Sequence, residues 1–138
     1  MPMIDVYAPA GLFPATSERA LAEELTTTLL RWEQAPRTPA FLHNTGAYVH
    51  ILAGEQVHTA ATAQARTVRV QVLTPPGVLD RDAQKGLVSE FTEIVARISG
   101  DPGQAERTWV LLTEAAEGGW GIAGTALGRE DLAALARG

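Results

Sequence analysis

Hydrophobic and polar positions alternate in the first ten residues: Met3, Asp5 and Tyr7 fall on one face and Ile4, Val6 and Ala8 on the other, before Pro9-Ala10-Gly11. Alternation with period two predicts a strand. The period then changes. Leu21, Leu25, Leu29 and Trp32 recur at spacings of 4, 4 and 3, one face of an amphipathic helix over about 16–34. Thr16 and Ser17 are candidate caps, and Pro36 and Pro39 stop the helix. The stretch 47–52 is rich in β-formers and reads as a second strand, and 53–66 as a loop with room for a helical turn. The order then recurs. Val68, Val70 and Val72 alternate in a strand over 67–73, ended by Thr74-Pro75-Pro76-Gly77. Asp80 or Asp82 caps a helix carrying Leu87, Phe91, Ile94, Val95 and Ile98, which Gly100 and Pro102 end. A fourth strand covers 108–114, a glycine-rich stretch follows, and a short helix covers about 129–137.

This recurrence is an internal repeat with an offset of 66 residues. The offset superposes Val6 on Val72, Pro9 on Pro75, Gly11 on Gly77, Leu21 on Leu87, Glu24 on Glu90, Thr26 on Thr92, Arg31 on Arg97 and Pro36 on Pro102. Those places are strand ends, helix faces and helix stops. A strand–helix–strand crossover makes parallel strands and is right-handed. The expected fold is α/β (α+β): a duplicated β-α-β unit forming a four-stranded mixed sheet with two helices on one face. A single domain of two repeats, about 2–54 and 67–124, then carries the C-terminal helix. The other sheet face would present Met3, Asp5, Tyr7, Tyr48, His50, Arg69 and Gln71. That set is too polar for a dry core and too aromatic for a bare surface, which predicts a subunit interface.

Composition narrows the function classes. The 138 residues suit one domain and contain no cysteine, which excludes a disulfide scaffold and any Cys-based metal site. The net charge of −5, with both signs interspersed, lacks the basic footprint of a nucleic-acid binder. No apolar run approaches a membrane span and the N-terminus lacks the pattern of a signal peptide, so the expected setting is cytoplasmic, with no membrane partner. His43, His50 and His58 lie at spacings of 7 and 8, unsuited to one metal on a helix, and no serine sits in a hydrolase elbow. Gly119-Trp120-Gly121-Ile122-Ala123-Gly124 matches G-x-G-x-x-G, but too few residues follow it for a dinucleotide-binding unit.

Pro2 is the remaining chemical candidate. Removal of Met1 would leave a secondary amine at the chain start, and burial disfavours the protonated form of such an amine. A base poised near neutrality suits proton abstraction beside a carbonyl.

Pro2 at the head of a strand, the β-α-β repeat, and the run Leu112-Thr113-Glu114-Ala115-Ala116-Glu117-Gly118-Gly119-Trp120-Gly121-Ile122-Ala123-Gly124 together resemble the tautomerase superfamily. That superfamily includes 4-oxalocrotonate tautomerase, macrophage migration inhibitory factor and malonate semialdehyde decarboxylase. The last run looks like the end of 4-oxalocrotonate tautomerase, and the resemblance covers nearly the whole chain as a fused, two-unit relative. It implies a homotrimer with the amino-terminal proline as base near a subunit boundary. It further implies a cofactor-independent tautomerase acting on a small carbonyl or enol compound, with no metal and no cofactor. In that reading Pro2 is catalytic, and Trp120, Trp109, Tyr48, His50 and Met3 shape an aromatic pocket.

The arginines that grip carboxylates in such relatives are replaced here. Leu12 and Val78 follow the strand-ending glycines, Tyr48 and Trp109 stand early in the second strands, and Thr74-Pro75-Pro76-Gly77 fills the loop that carries arginines in the decarboxylase. Either the substrate is less charged or another cation serves, with Arg69, Arg107, Arg66 and Arg37 as candidates. Val68 takes the place of Pro2 in the second repeat and has no free amine, which implies one site per chain. A hydratase or decarboxylase-type lyase, or a non-catalytic trimeric binding protein, are the other readings of this scaffold.

Overall fold

Valine- and isoleucine-rich alternation builds the sheet at the centre of the chain, seen in a computed structural model describing residues 1–138. Strands β1 (Met3–Pro9), β2 (Gly46–Leu52), β3 (Val68–Thr74) and β4 (Thr108–Glu114) stand in the order β2-β1-β3-β4. The pairs β1–β2 and β3–β4 are parallel, as crossover connections require, and β1 meets β3 antiparallel. Helices α1 (Glu18–Trp32) and α3 (Arg81–Ser99) cover one face. The core lies between, where Ile4, Val6, Val68, Val70 and Val72 meet Leu21, Leu25, Leu29, Leu87 and Phe91. This is the duplicated four-stranded architecture expected from the pattern, with boundaries displaced by one or two residues.

The repeat identities have physical partners. β1 and β3 pair with Asp5 opposite Gln71, residues 66 apart, so an approximate twofold axis passes between them. That axis sets Glu24 against Arg97 and Arg31 against Glu90 in two reciprocal ion pairs across α1 and α3. Both pairs are partly exposed, where such contacts contribute about 0–1 kcal/mol each. Thr26 and Thr92 each donate to the carbonyl four residues back, at 2.9 and 2.7 Å. Gly11 and Gly77 both turn the chain at positive φ, +83° and +76°, where a side chain is strained. One close approach is not repeated: a Cβ on Gly86 would stand 2.2 Å from the Trp32 ring, so glycine lets the indole lie on α3 and donate to Glu90 at 2.8 Å.

Some expectations change. Ser17 occupies the N-cap of α1, but its hydroxyl donates to the Pro14 carbonyl and makes no cap bond. Asp80, rather than Asp82, caps α3 by accepting from the Ala83 N–H at 2.8 Å. The loop before β2 contains a short helix, α2 (Pro39–His43), with Thr38 as its cap. The glycine-rich stretch is a hairpin of β5 (Trp120–Ile122) and β6 (Thr125–Leu127), and α4 (Arg129–Ala136) follows it. No helix is long and apolar enough to cross a membrane.

The second sheet face carries the residues assigned to it. In one cross-strand row His50, Tyr7, Arg69 and Trp109 stand side by side. His50 stacks on Tyr7 with ring centroids 4.4 Å apart and holds Asp5 at 2.8 Å. Arg69 lies 5.6 Å over the Tyr7 ring and donates to Gln71. Tyr48 (62% exposed), Trp109 (48%), Leu73 and Leu111 add exposed apolar surface to this polar row in the single chain.

Candidate active site

The chain start is buried at one end of the sheet. Pro2 precedes β1, and its carbonyl accepts from the Gly46 N–H at 3.1 Å, extending the β1–β2 ladder. Its missing N–H is tolerated because the strand has only begun there. Met1 is 2% exposed and packs with Phe41 of α2 and Trp120 of β5. Met3, Ala35, Ile122, Leu132 and Ala136 close around this second, smaller cluster.

Glu33 comes to the same place from the end of α1. It sits four residues after Leu29, on the stripe begun by Leu21 and Leu25. A residue at that spacing points into the protein. The helix ends in a Schellman turn, with the Ala35 N–H on the Leu30 carbonyl and the Gln34 N–H on that of Arg31. Gln34 takes the left-handed position at φ 53°, where the second repeat has Gly100 at +77°. The Glu33 side chain is 3% exposed and lies 3.7 Å from the Met1 amine, longer than a hydrogen bond. Its Oε2 is buried with no hydrogen-bond partner.

Burial dominates the electrostatics of this pair. It pushes the terminal amine below its ordinary value, while the charge of Glu33 and its hydrogen-bonding capacity act to raise it. It pushes the Glu33 carboxyl above its ordinary value, and the amine opposes that. Both groups are thereby biased toward their neutral forms. A carboxyl raised in the native state contributes stability that is complete below its unfolded value of 4.5 and is lost as pH rises through the native value. The lowered amine works in the opposite sense, with stability falling as pH drops from 8.0 through its native value. Glu33→Gln removes the first effect and also takes away the charge that opposed the lowering of the amine, and both changes favour the variant as pH rises. In the Met1-bearing chain, urea midpoints across pH should show the variant gaining on the parent as pH rises above 4.5. Parallel curves would mean that Glu33 ionises as it does in the unfolded chain.

A cleft of about 350 Å³ opens beside the pair. Phe41, Pro75, Pro76 and Leu132 make its walls, and Arg129 stands at its mouth. His/Cys/Asp/Glu clusters that could hold a metal ion are absent.

The residues expected at the site fall in three places. Trp120 and Met3 adjoin the N-terminus. Tyr48, His50, Arg69 and Trp109 lie on the open sheet face and do not line the cleft of their own chain. Arg107 is at the other end of the sheet, beside Val68, whereas Met3 pairs with Leu73. Those five positions of strand amount to about 17 Å. Arg107 is occupied there: it binds Asp101 at 2.7 Å and donates to the Arg66 carbonyl. Its hydrogen bond, together with the Gly103 N–H, holds the Asp101 carboxyl below its usual range. Past the helices the offset falls to 63, since Met3 pairs with Gly46 and Arg69 with Trp109, so the second-half counterpart of Phe41 is the buried Gln104 and not Arg107. Arg66 and Arg37 do not line the cleft either.

Glu33, Phe41 and Arg129 were not anticipated. Glu33 had a readable signal, a carboxylate continuing an apolar stripe. Phe41 had a weaker one in the Thr38-Pro39 cap before it, and Arg129 had none.

No protein-family model matches the sequence, and no curated protein is significantly similar to it. Solved structures are similar. A fused 4-OT wild-type symmetric trimer has 18% identity and a TM-score of 0.78, over 94% of this chain and 98% of that one. A member of the cis-3-chloroacrylic acid dehalogenase family has 22% identity and a TM-score of 0.70, over 91% and 82%. A macrophage migration inhibitory factor-like protein from Entamoeba histolytica has 12% identity and a TM-score of 0.68, over 91% and 98%. The chain therefore has the fold of these tautomerase-superfamily proteins, in agreement with the resemblance read from its sequence.

Proposed function

We propose that the chain, with Met1 removed, is a cofactor-independent tautomerase in which the Pro2 nitrogen is the general base. One observation carries this reading: the terminal amine is buried at the inner end of a mostly apolar cleft, 3.7 Å from a buried carboxyl with an unpartnered oxygen. The Pro2 nitrogen is three covalent bonds from the Met1 amine, hence within about 4 Å of it. Removal of Met1 transfers the terminal amine to Pro2 and opens space against Phe41 and Trp120. A neutral secondary amine there takes the hydroxyl proton of an enol and returns it to carbon as the carbonyl forms. Protonated Glu33 donates a hydrogen bond to that oxygen. Burial favours the form of each group that these roles need.

The open sheet face supports a homotrimer. Tyr48, Trp109, Leu73 and Leu111 are exposed in one chain, and solved structures of this fold are described as symmetric or asymmetric trimers. Burying that face would bring Tyr48, His50, Arg69 and Trp109 to a subunit boundary.

The test compares the chain starting at Pro2 with the chain retaining Met1, each verified by mass spectrometry, on phenylenolpyruvate. The Met1 form should be slower by about 10²-fold or more, the usual worth of a positioned base. Equal rates overturn the proposal.

A further inference from the structure

Arg129 opens α4, and its guanidinium comes back over the β3–α3 turn. A Cβ on Gly77 would stand 3.5 Å from its Nη2. Its backbone N–H is tied to Glu117 Oε1 at 2.6 Å, whereas its side-chain Nε is 3.8 Å from Glu117 Oε2. The second distance is beyond a hydrogen bond. The backbone is anchored, and the guanidinium keeps a long, exposed ion pair with Glu117 but makes no side-chain hydrogen bond, so its fork can turn to another anion. The same helix lays Leu132 and Ala136 against Met1 and Trp120. α4 thus supplies both an apolar wall and a cation to the cleft.

The charges in the cleft are arranged end to end. Met1 and Glu33 lie at the inner end, their side chains 1% and 3% exposed, and Arg129 at the rim, 70% exposed. Between them are Phe41, Pro75, Pro76 and Leu132. No other arginine or lysine lines the cleft. A guanidinium presents parallel N–H donors that match a carboxylate. A cleft of about 350 Å³ suits a compact ligand.

We propose that Arg129 is the anion-binding residue of this cleft, which takes a compact monocarboxylate with an apolar body. The carboxylate sits on Arg129, and the reacting oxygen faces Glu33 and the terminal nitrogen. This rests on the proposed function for the identity of the reacting end, and on the cleft alone for the identity of the charged end. Of the two alternatives left by the replaced arginines, it takes the second with a different residue: the cation comes from the C-terminal helix rather than from Arg69, Arg107, Arg66 or Arg37.

The experiment uses two probes of one shape that cannot tautomerise, 3-phenylpropanoate and 3-phenylpropanamide, titrated calorimetrically into the full chain. The acid should bind about tenfold more tightly than the amide, the worth of a charged hydrogen bond. Arg129→Gln should bring the two affinities together by weakening the acid and leaving the amide unchanged. Arg129→Lys should keep part of the difference. A preference that survives Arg129→Gln overturns the proposal. So does a parent that binds both probes equally or neither, or a variant that loses the amide as well. A chain that prefers the acid yet transfers no proton keeps this site and loses the Pro2 reading. A chain that turns over enols without such a preference does the reverse.

Discussion

Pro2→Ala in the chain lacking Met1 is expected to slow the ketonisation of phenylenolpyruvate by about 10²- to 10⁴-fold, the range for removing a positioned general base. The variant keeps a terminal amine, but a primary one without the ring that fixes its direction. The fold should tolerate the change. The carbonyl of residue 2 still accepts from Gly46 N–H, and β1 begins only at Met3. The urea midpoint of the variant should therefore stay with the parent while its rate falls. A rate within about threefold of the parent would remove Pro2 from the chemistry and leave the scaffold as a binding protein. A matching loss of stability and rate would point to packing instead of proton transfer.

Phe91→Ala is expected to cost about 3–5 kcal/mol of stability, read from denaturant midpoints, as a buried aromatic truncated in a packed core does. Phe91 is fully buried on the sheet-facing side of α3, and its repeat counterpart, Leu25, is equally buried on α1. It packs in the cluster that joins both helices to the central strands. Total stability of a domain is about 5–15 kcal/mol, so this change takes a large share of it. Leu25→Ala should act in the same direction and by less, since a smaller side chain is removed. A cost below about 1 kcal/mol for Phe91→Ala would mean that the core does not depend on α3 in this way.

Long elements were legible because period and length are local properties. β1, α1, β2, β3, α3 and β4 each carry enough alternating or 4-spaced apolar residues to declare themselves. The offset of 66 also had a local trace, later explained by reciprocal ion pairs, matched threonines and turn glycines. Short elements were not legible. α2 has five residues and β5 and β6 three each, too few to show a period. They exist because tertiary contacts hold them, with Phe41 and Trp120 packed on Met1.

The site divides along the same line. The sequence by itself determined the duplicated sheet-and-helix fold, a proline at the head of a central strand, and a second half with no such terminus, because these follow from order and periodicity along the chain. Only the tertiary structure decided which groups share the cleft. It brought Glu33 from a helix end and Arg129 from the C-terminal helix to the buried amine, and placed Arg107 against Asp101 at the other end of the sheet. The reason is physical. Burial and charge proximity depend on residues far apart in the chain, and local pattern says nothing about what a side chain will face once the chain has closed on itself.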